Sequence, residues 1–126
     1  MPGITELGRV MIPVSDQDKA IAFYTDKLGF SVSADVPFGD GDRWVEVSPP
    51  NGGAAIALTT PMAEDWAPGR TTGISLSTAD ARAEREQLAA NGVELDGELM
   101  GGDGTVPLLF SIKDQDGNSL MIVEQS

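Results

Sequence analysis

Hydrophobic residues recur with two different periods, and the two periods alternate along the chain. Residues 10–14 form a short apolar run of the kind that β-strands have. Beyond Ser15 and Asp16, apolar side chains follow at helical spacing up to Gly29: Ala20, Ile21, Phe23, Tyr24 and Leu28. Residues 30–36, 43–48 and 54–59 then alternate as strands do. The first half therefore predicts one strand, one helix and three strands.

The second half repeats this order. Residues 73–77 read as a strand, Thr78 or Asp80 would cap a helix over 81–91, and Gly92 would end that helix. The helix is expected to turn Ala83, Leu88 and Ala89 toward a core. Strands are predicted from residue 93, over 105–113 and over 119–124. The halves share element order with little residue identity, which indicates a structural repeat.

The segment 114–118 predicts the last turn. Its Asp-Gly-Asn sequence suits a tight turn because Gly and Asn tolerate positive φ. The strand after it places Leu120 and Ile122 on one face and Met121 on the other. The spacing of the acidic residues also resembles a calcium loop. However, Ser119 stands where that loop has Gly, so a turn is the favoured interpretation.

Length and composition favour one small globular domain. The chain has 126 residues, 40% of them hydrophobic, and no apolar run long enough to span a membrane. Its start lacks the features of a signal peptide, and cysteine is absent, so we expect a cytoplasmic protein without disulfides. The net charge of −12 repels nucleic acid and anionic membranes. That charge serves solubility, or it attracts a cationic ligand.

The absence of histidine restricts the chemistry further. A metal would need all-oxygen ligands, and acid–base steps would fall to carboxylates, lysines or Tyr24.

The ordered set of motifs resembles the vicinal oxygen chelate superfamily. That group includes glyoxalase I, extradiol dioxygenases, fosfomycin-resistance enzymes and bleomycin-resistance proteins. The matching segments are residues 10–16, 22–24 and 27–30, Leu88 with 91–93, and 114–118. The resemblance implies an α+β fold of two tandem βαβββ modules, with curled mixed sheets and helices on the outside. The modules would span about 5–59 and 71–126 within a single domain, joined by a linker over 60–70.

The resemblance also indicates where a metal would bind. Enzymes of this group usually hold a divalent metal by four side chains, and alignment of the pattern puts those positions at Arg9, Ala57, Gly73 and Met121. None is an ordinary ligand for such a metal, because Arg is a cation, Ala and Gly lack donors, and a thioether suits Cu(I). We therefore predict no metal, no cofactor and no assigned catalytic residue.

Strand alternation predicts what the cup of the fold presents instead. One face would carry an apolar, aromatic surface with one cation and one carboxylate, formed by Arg9, Met11, Trp44, Glu46, Ala55, Ala57, Ser111, Met121 and Val123. Trp66 could cover this site or lie at a dimer contact, and Phe38 could form its rim. The residues of the cup also have plainer alternatives: Glu46 could be a solvated strand residue, the Arg9–Glu46 pair could be structural, and Trp44 and the methionines could fill the cup.

Three functional hypotheses follow. The first is a metal-free, bleomycin-resistance-like protein that binds a small cationic or planar aromatic molecule. The second is a lyase, isomerase or dioxygenase with a non-standard site around Glu46. The third is a non-catalytic structural or regulatory subunit. A homodimer is expected from the resemblance, and it could be domain-swapped through the linker over 60–70.

Overall fold

The computed structural model describes residues 2–39, 41–61 and 65–125, and it divides the chain into two compact units, Met1–Trp66 and Ala67–Ser126. Over the described part of the chain, each unit has one strand, one helix and three further strands. The elements of the first unit are β1 Arg9–Pro13, α1 Gln17–Ala22, β2 Ser31–Phe38, β3 Asp42–Ser48 and β4 Ala55–Thr59. A π-helical turn over Phe23–Lys27 extends α1.

The second unit repeats the order. Its elements are β5 Thr71–Thr78, α2 Ala81–Ala90, β6 Glu94–Met100, β7 Leu109–Lys113 and β8 Ser119–Glu124. The duplicated βαβββ pattern predicted from the sequence is confirmed.

Each unit forms a four-stranded mixed sheet. The strand orders are β1-β4-β3-β2 and β5-β8-β7-β6. The first and last strands of each unit pair in parallel, and the remaining neighbours are antiparallel. Strand β1 lies at an edge, which accommodates Pro13 because an edge strand can lack one backbone donor.

Both helices begin with the same capping interaction. The carboxylate of Asp16 accepts a hydrogen bond of 3.1 Å from the backbone N–H of Lys19. Asp80 accepts one of 3.0 Å from Ala83, so Asp80 and not Thr78 is the N-cap of α2. An aspartate at this position satisfies a backbone donor that the first helical turn leaves open.

The core of each unit lies on one face of its sheet. Alternation predicts Val10, Ile12, Val45, Val47, Leu120 and Ile122 on this face, and all but Val10, which is only partly buried, are buried. Phe110 and Ile112 are buried as well. The prediction for α2 was wrong at two positions, because Ala83 and Ala89 are exposed. That helix buries Ala81 and Leu88, seven residues apart. Its apolar stripe is therefore narrower than the sequence pattern indicated.

Most strand bounds differ from the sequence prediction by one or two residues, and the start of β7 differs by four. Strand β2 continues to Phe38, which pairs with Asp42, so Phe38 belongs to a strand and not to a loop. Strand β7 begins at Leu109, four residues later than predicted. Asp40, between the predicted strands over 30–36 and 43–48, and residues 62–64 of the predicted linker lie outside the described residues.

The turn over 114–118 is held by side chains. Asp114 Oδ1 accepts hydrogen bonds of 2.9 Å from the backbone N–H groups of Asp116 and Asn118. Gly117 has φ of 79°, which a glycine adopts without strain. Asn118 is fully buried, and its Oδ1 accepts from the backbone of Gly69 and Arg70. The turn therefore fixes the segment that leads into β5.

Among the described residues, no helix has both the length and the apolar character needed to cross a membrane.

Candidate ligand-binding site

The open face of the first sheet carries most of the predicted site. Met11 pairs with Ala57, Ala57 pairs with Glu46, and Glu46 pairs with Ala34. These four residues therefore form one row across the sheet, with side chains on the same face. Val45 and Val47 alternate with Glu46 and are buried on the other face.

Glu46 is the centre of a three-residue polar cluster. Its Oε2 accepts a hydrogen bond of 2.9 Å from Arg9 Nε and one of 2.6 Å from the indole Nε1 of Trp44. The side chain of Glu46 is 13% exposed, whereas that of Arg9 is 51% exposed. The same carboxylate oxygen thus orients both the guanidinium and the indole.

Small residues on β4 make this contact possible. Strand β4 lies between β1, which carries Arg9, and β3, which carries Glu46. The β4 residues that pair with Arg9 and Met11 on this face are Ala55 and Ala57. Since an alanine side chain ends at Cβ, the Arg9 side chain can cross the strand. Ala57 itself is fully buried.

An aromatic platform adjoins the polar cluster. The rings of Phe38 and Trp44 lie 6.1 Å apart between centroids, tilted by 44°. Phe38 is 57% exposed, and Val36, which pairs with Trp44, is exposed as well. Exposed neighbouring apolar groups of this kind are typical of binding surfaces. We call Phe38, Trp44 and Val36 the aromatic platform.

Sequence reasoning missed Gln17, which supports the platform from below. Its buried amide donates hydrogen bonds of 2.9 Å to the backbone carbonyls of Arg43 and Leu58. It thereby joins β3 to β4 next to Trp44. The sequence offered no signal for this role, because Gln17 stands in an acidic first turn that reads as solvent-exposed.

Arg43 connects β3 to strand β2 and to helix α1. Its guanidinium makes two hydrogen bonds to Asp35 on β2 and one of 2.9 Å to Asp18 on α1. The hydrogen bonds from Arg43 hold the pKa of the Asp35 carboxyl below its ordinary value. The same two carboxylates raise the pKa of Arg43. The residue before Trp44 is thus tied to both neighbouring elements.

Trp66 is anchored to the first unit. Its indole Nε1 donates a hydrogen bond of 3.0 Å to Thr59 Oγ1. Thr59 is the last residue of β4, two residues after Ala57, and its hydroxyl donates to the Ile12 carbonyl. Trp66 therefore lies at the end of β4, and the prediction that it covers a ligand stays untested.

The remaining predicted site residues belong to the second unit. Ser111 pairs with Met121, and Met121 pairs with Ser75. This row corresponds to the row of Glu46, Ala57 and Met11 in the first sheet, but it carries hydroxyls and a thioether. Met121 is 36% exposed, while its neighbours Leu120 and Ile122 are buried. The repeated fold thus presents two chemically different faces.

The residues at the metal positions do not fit the divalent metal of the resembled enzymes. Arg9 donates its Nε to Glu46 and offers no lone pair. Ala57 and Gly73 carry no donor atom, and Met121 offers only a soft thioether. Within the described ranges, no group of three or more His, Cys, Asp or Glu side chains is placed to hold a metal ion.

Comparisons with known proteins agree with this architecture. The family model described as "Glyoxalase/Bleomycin resistance protein/Dioxygenase superfamily" matches residues 6–122. The uncharacterized protein YetH of Bacillus subtilis strain 168 is 31% identical over 121 residues, which cover 96% of this chain and 99% of YetH.

Two solved structures extend the comparison. TnmS3, an antibiotic binding protein from Streptomyces sp. CB03234, is 30% identical with a TM-score of 0.84, and the match covers all of both chains. A superfamily member from Sphaerobacter thermophilus is 33% identical with a TM-score of 0.87, and the match covers 97% of this chain and 98% of that one.

Proposed function

The chain belongs to the glyoxalase/bleomycin resistance protein/dioxygenase superfamily, and we propose that it binds a small planar aromatic molecule without using a metal. The guest would lie on the open face of the first sheet, against the aromatic platform. The similarity to an antibiotic binding protein supports a binding function of this class. The ligand-binding role of each residue is part of the proposal.

One observation carries the proposal: Trp44 is both partly exposed and held in a fixed orientation. Its indole N–H donates to Glu46, so the ring needs no polar partner from the guest. Phe38 adds a second exposed ring beside it. Aromatic pairs contribute about 0.5–1.5 kcal/mol beyond the area that they bury, so a fixed platform favours a flat guest. Met11, exposed in the same row as Glu46, can adapt its side chain to the guest's shape.

Calorimetric titration with a small panel of flat aromatic probes tests the proposal. 2-Naphthylmethanol is a suitable first probe because it is neutral and carries two fused rings. We expect saturable binding to the wild-type protein. A Trp44→Leu variant should weaken binding at least tenfold, which corresponds to about 1.4 kcal/mol. Flat titrations across the whole panel would contradict the proposal.

Two further variants separate a direct role from a structural one. Phe38→Ala removes an exposed ring, so we expect weaker binding with little change in the urea midpoint. Trp66→Phe is the matched control, since it removes the other tryptophan and leaves the platform intact. Loss of binding in Trp66→Phe but not in Trp44→Leu would move the site away from the platform.

A further inference from the structure

We propose that the guest of the aromatic platform carries an oxygen anion or a strong oxygen acceptor beside its ring, and that Arg9 binds this oxygen. The inference rests on the proposed function, because it names the chemistry of the ligand at the same site. It selects an aromatic acid or phenolate over an aromatic cation.

The first step is to count the guanidinium N–H groups of Arg9 that have no acceptor within the protein. A guanidinium has five N–H donors, one on Nε and four on the two terminal nitrogens. Only the Nε of Arg9 is used, in the bond to Glu46. Within the described residues, neither terminal nitrogen has a hydrogen-bond partner in the protein. Four donors in a planar fork therefore remain, the arrangement that suits a carboxylate.

The second step is which polar group a guest can reach. Arg9 is 51% exposed, while Glu46 is 13% exposed and already accepts two hydrogen bonds at Oε2. The indole N–H of Trp44 is used by the same oxygen. Glu46 Oε1 has no hydrogen-bond partner among the described residues, but its side chain is far less exposed than that of Arg9. The most accessible polar group of the cluster is therefore a cationic donor.

The third step is the position of that donor relative to the platform. Arg9 Nε and Trp44 Nε1 both contact one oxygen atom, so the guanidinium lies next to the edge of the indole. A ring on the platform would then place a directly attached oxygen group beside Arg9. The guest needs no flexible linker between its ring and its anion.

The fourth step weighs the local charge against the net charge of −12. At physiological salt, exposed charges are screened over about 8 Å, so distant carboxylates act weakly at this site. The other charged side chain with the same strand parity on β3 is Asp42, four residues from Glu46. Four residues of strand span about 13 Å, so Asp42, which pairs with Phe38, lies beyond the screening length from the Arg9–Glu46 end of the site. The carboxylate of Glu46 is neutralised by its ion pair with Arg9. A direct hydrogen bond from Arg9 is therefore expected to outweigh the general repulsion of an anion.

Three naphthalene probes that differ in one group test this inference by calorimetry at 0.15 M salt, chosen as about the physiological ionic strength. They are naphthalene-2-carboxylate, neutral 2-naphthylmethanol and cationic 2-naphthylmethylammonium. We expect the carboxylate to bind roughly tenfold more tightly than the alcohol, as one charge-assisted hydrogen bond provides, and the cation to bind most weakly. Binding of the cation as tight as that of the carboxylate would overturn the inference.

A charge-balanced double variant shows whether Arg9 is responsible. Arg9→Met with Glu46→Gln removes the ion pair, keeps the net charge and leaves an amide oxygen for the Trp44 indole. It should lose the preference for the carboxylate and still bind the alcohol. Arg82→Gln is the control for net charge, because Arg82 is exposed on α2, and its preference should match wild type. A preference that survives in the double variant would contradict the role of Arg9.

The outcomes separate this inference from the proposed function. If none of the three probes binds, the proposed function fails. If all three bind with equal affinity, the platform stands and only the inference about the oxygen anion is wrong.

Discussion

Glu46 Oε2 lies 2.9 Å from Arg9 Nε, and the contact crosses strand β4 between two residues 37 positions apart in the sequence. Because Arg9 is half-exposed, such a pair contributes about 1 kcal/mol or less to stability. Its main consequence is orientation, since the same oxygen also holds the indole of Trp44. The contact therefore contributes more to the orientation of Arg9 and Trp44 on the open face than to the free energy of unfolding.

Substitution of Glu46 tests that distinction. Glu46→Gln keeps an oxygen for the indole, so we expect the free energy of unfolding to change by no more than about 0.5 kcal/mol. Glu46→Ala removes the acceptor of two donors and should cost about 1–2 kcal/mol. Urea denaturation measures both. Equal effects of the two variants would show that the Trp44 hydrogen bond contributes little.

Substitution of Ala57 tests how closely the side chains on the open face are packed. Ala57 is fully buried between Met11 and Glu46 in its row, so a leucine there has no room without moving a neighbour. We expect Ala57→Leu to destabilise the protein by about 1–3 kcal/mol, as overpacking does. It should also weaken naphthalene binding, because the Arg9 side chain can no longer cross β4. Ala79→Leu, at an exposed position outside the helices and strands, is the control and should leave both quantities near wild type.

Substitution of Asn118 tests how much the turn before the last strand contributes to stability. The Oδ1 of Asn118 accepts from the backbone of Gly69 and Arg70, and its Nδ2 donates to Asp114. Asn118→Ala removes all three contacts at a buried position, so we expect a loss of about 2–4 kcal/mol in the free energy of unfolding. The control is Asn51→Ala in an exposed turn, where a change within about 0.5 kcal/mol is expected. A loss as small as that of the control would mean that water replaces the contacts.

Asp35 gives a pH dependence with a defined sign. The hydrogen bonds from Arg43 lower the pKa of this carboxyl in the folded protein. Its contribution to stability is therefore present above the ordinary aspartate pKa and is lost as the pH falls through the lowered value. Carboxyl NMR titration of wild type and Arg43→Gln measures the shift. The pKa of Asp35 should rise in Arg43→Gln, and an unchanged value would assign the shift to another group.

Much of the fold was predictable because local signals coincide with the observed elements. Asp16 and Asp80 cap the two helices, and Ser119–Glu124 has the predicted bounds of β8. The strand ends that the sequence analysis placed wrongly depend on pairing between strands, which local sequence does not show. Strand β2 continues to Phe38 because Phe38 pairs with Asp42, which Pro37 and the glycines obscure in the sequence.

The sequence predicted which residues of the site share one face of the sheet. It did not predict which of their side chains contact each other. Alternation assigned Arg9, Glu46 and Trp44 to one surface, and an Arg9–Glu46 pair was one of the alternatives considered. Alternation carries no information on which donors meet which acceptor. Gln17 illustrates the limit, since its role depends on two carbonyls from different strands. Dimer formation and the cytoplasmic location remain predictions.

The most direct test of the central claim is the indole N–H signal of Trp44 in a nitrogen–proton correlation spectrum. The chain has two tryptophans, so a Trp66→Phe variant assigns the two indole signals. Titration with 2-naphthylmethanol should move the Trp44 signal saturably, because a ring stacked on the platform changes its magnetic environment, and should leave the Trp66 signal nearly in place. A shift of Trp66 alone, or no shift of either signal at saturating probe, would contradict binding on the aromatic platform.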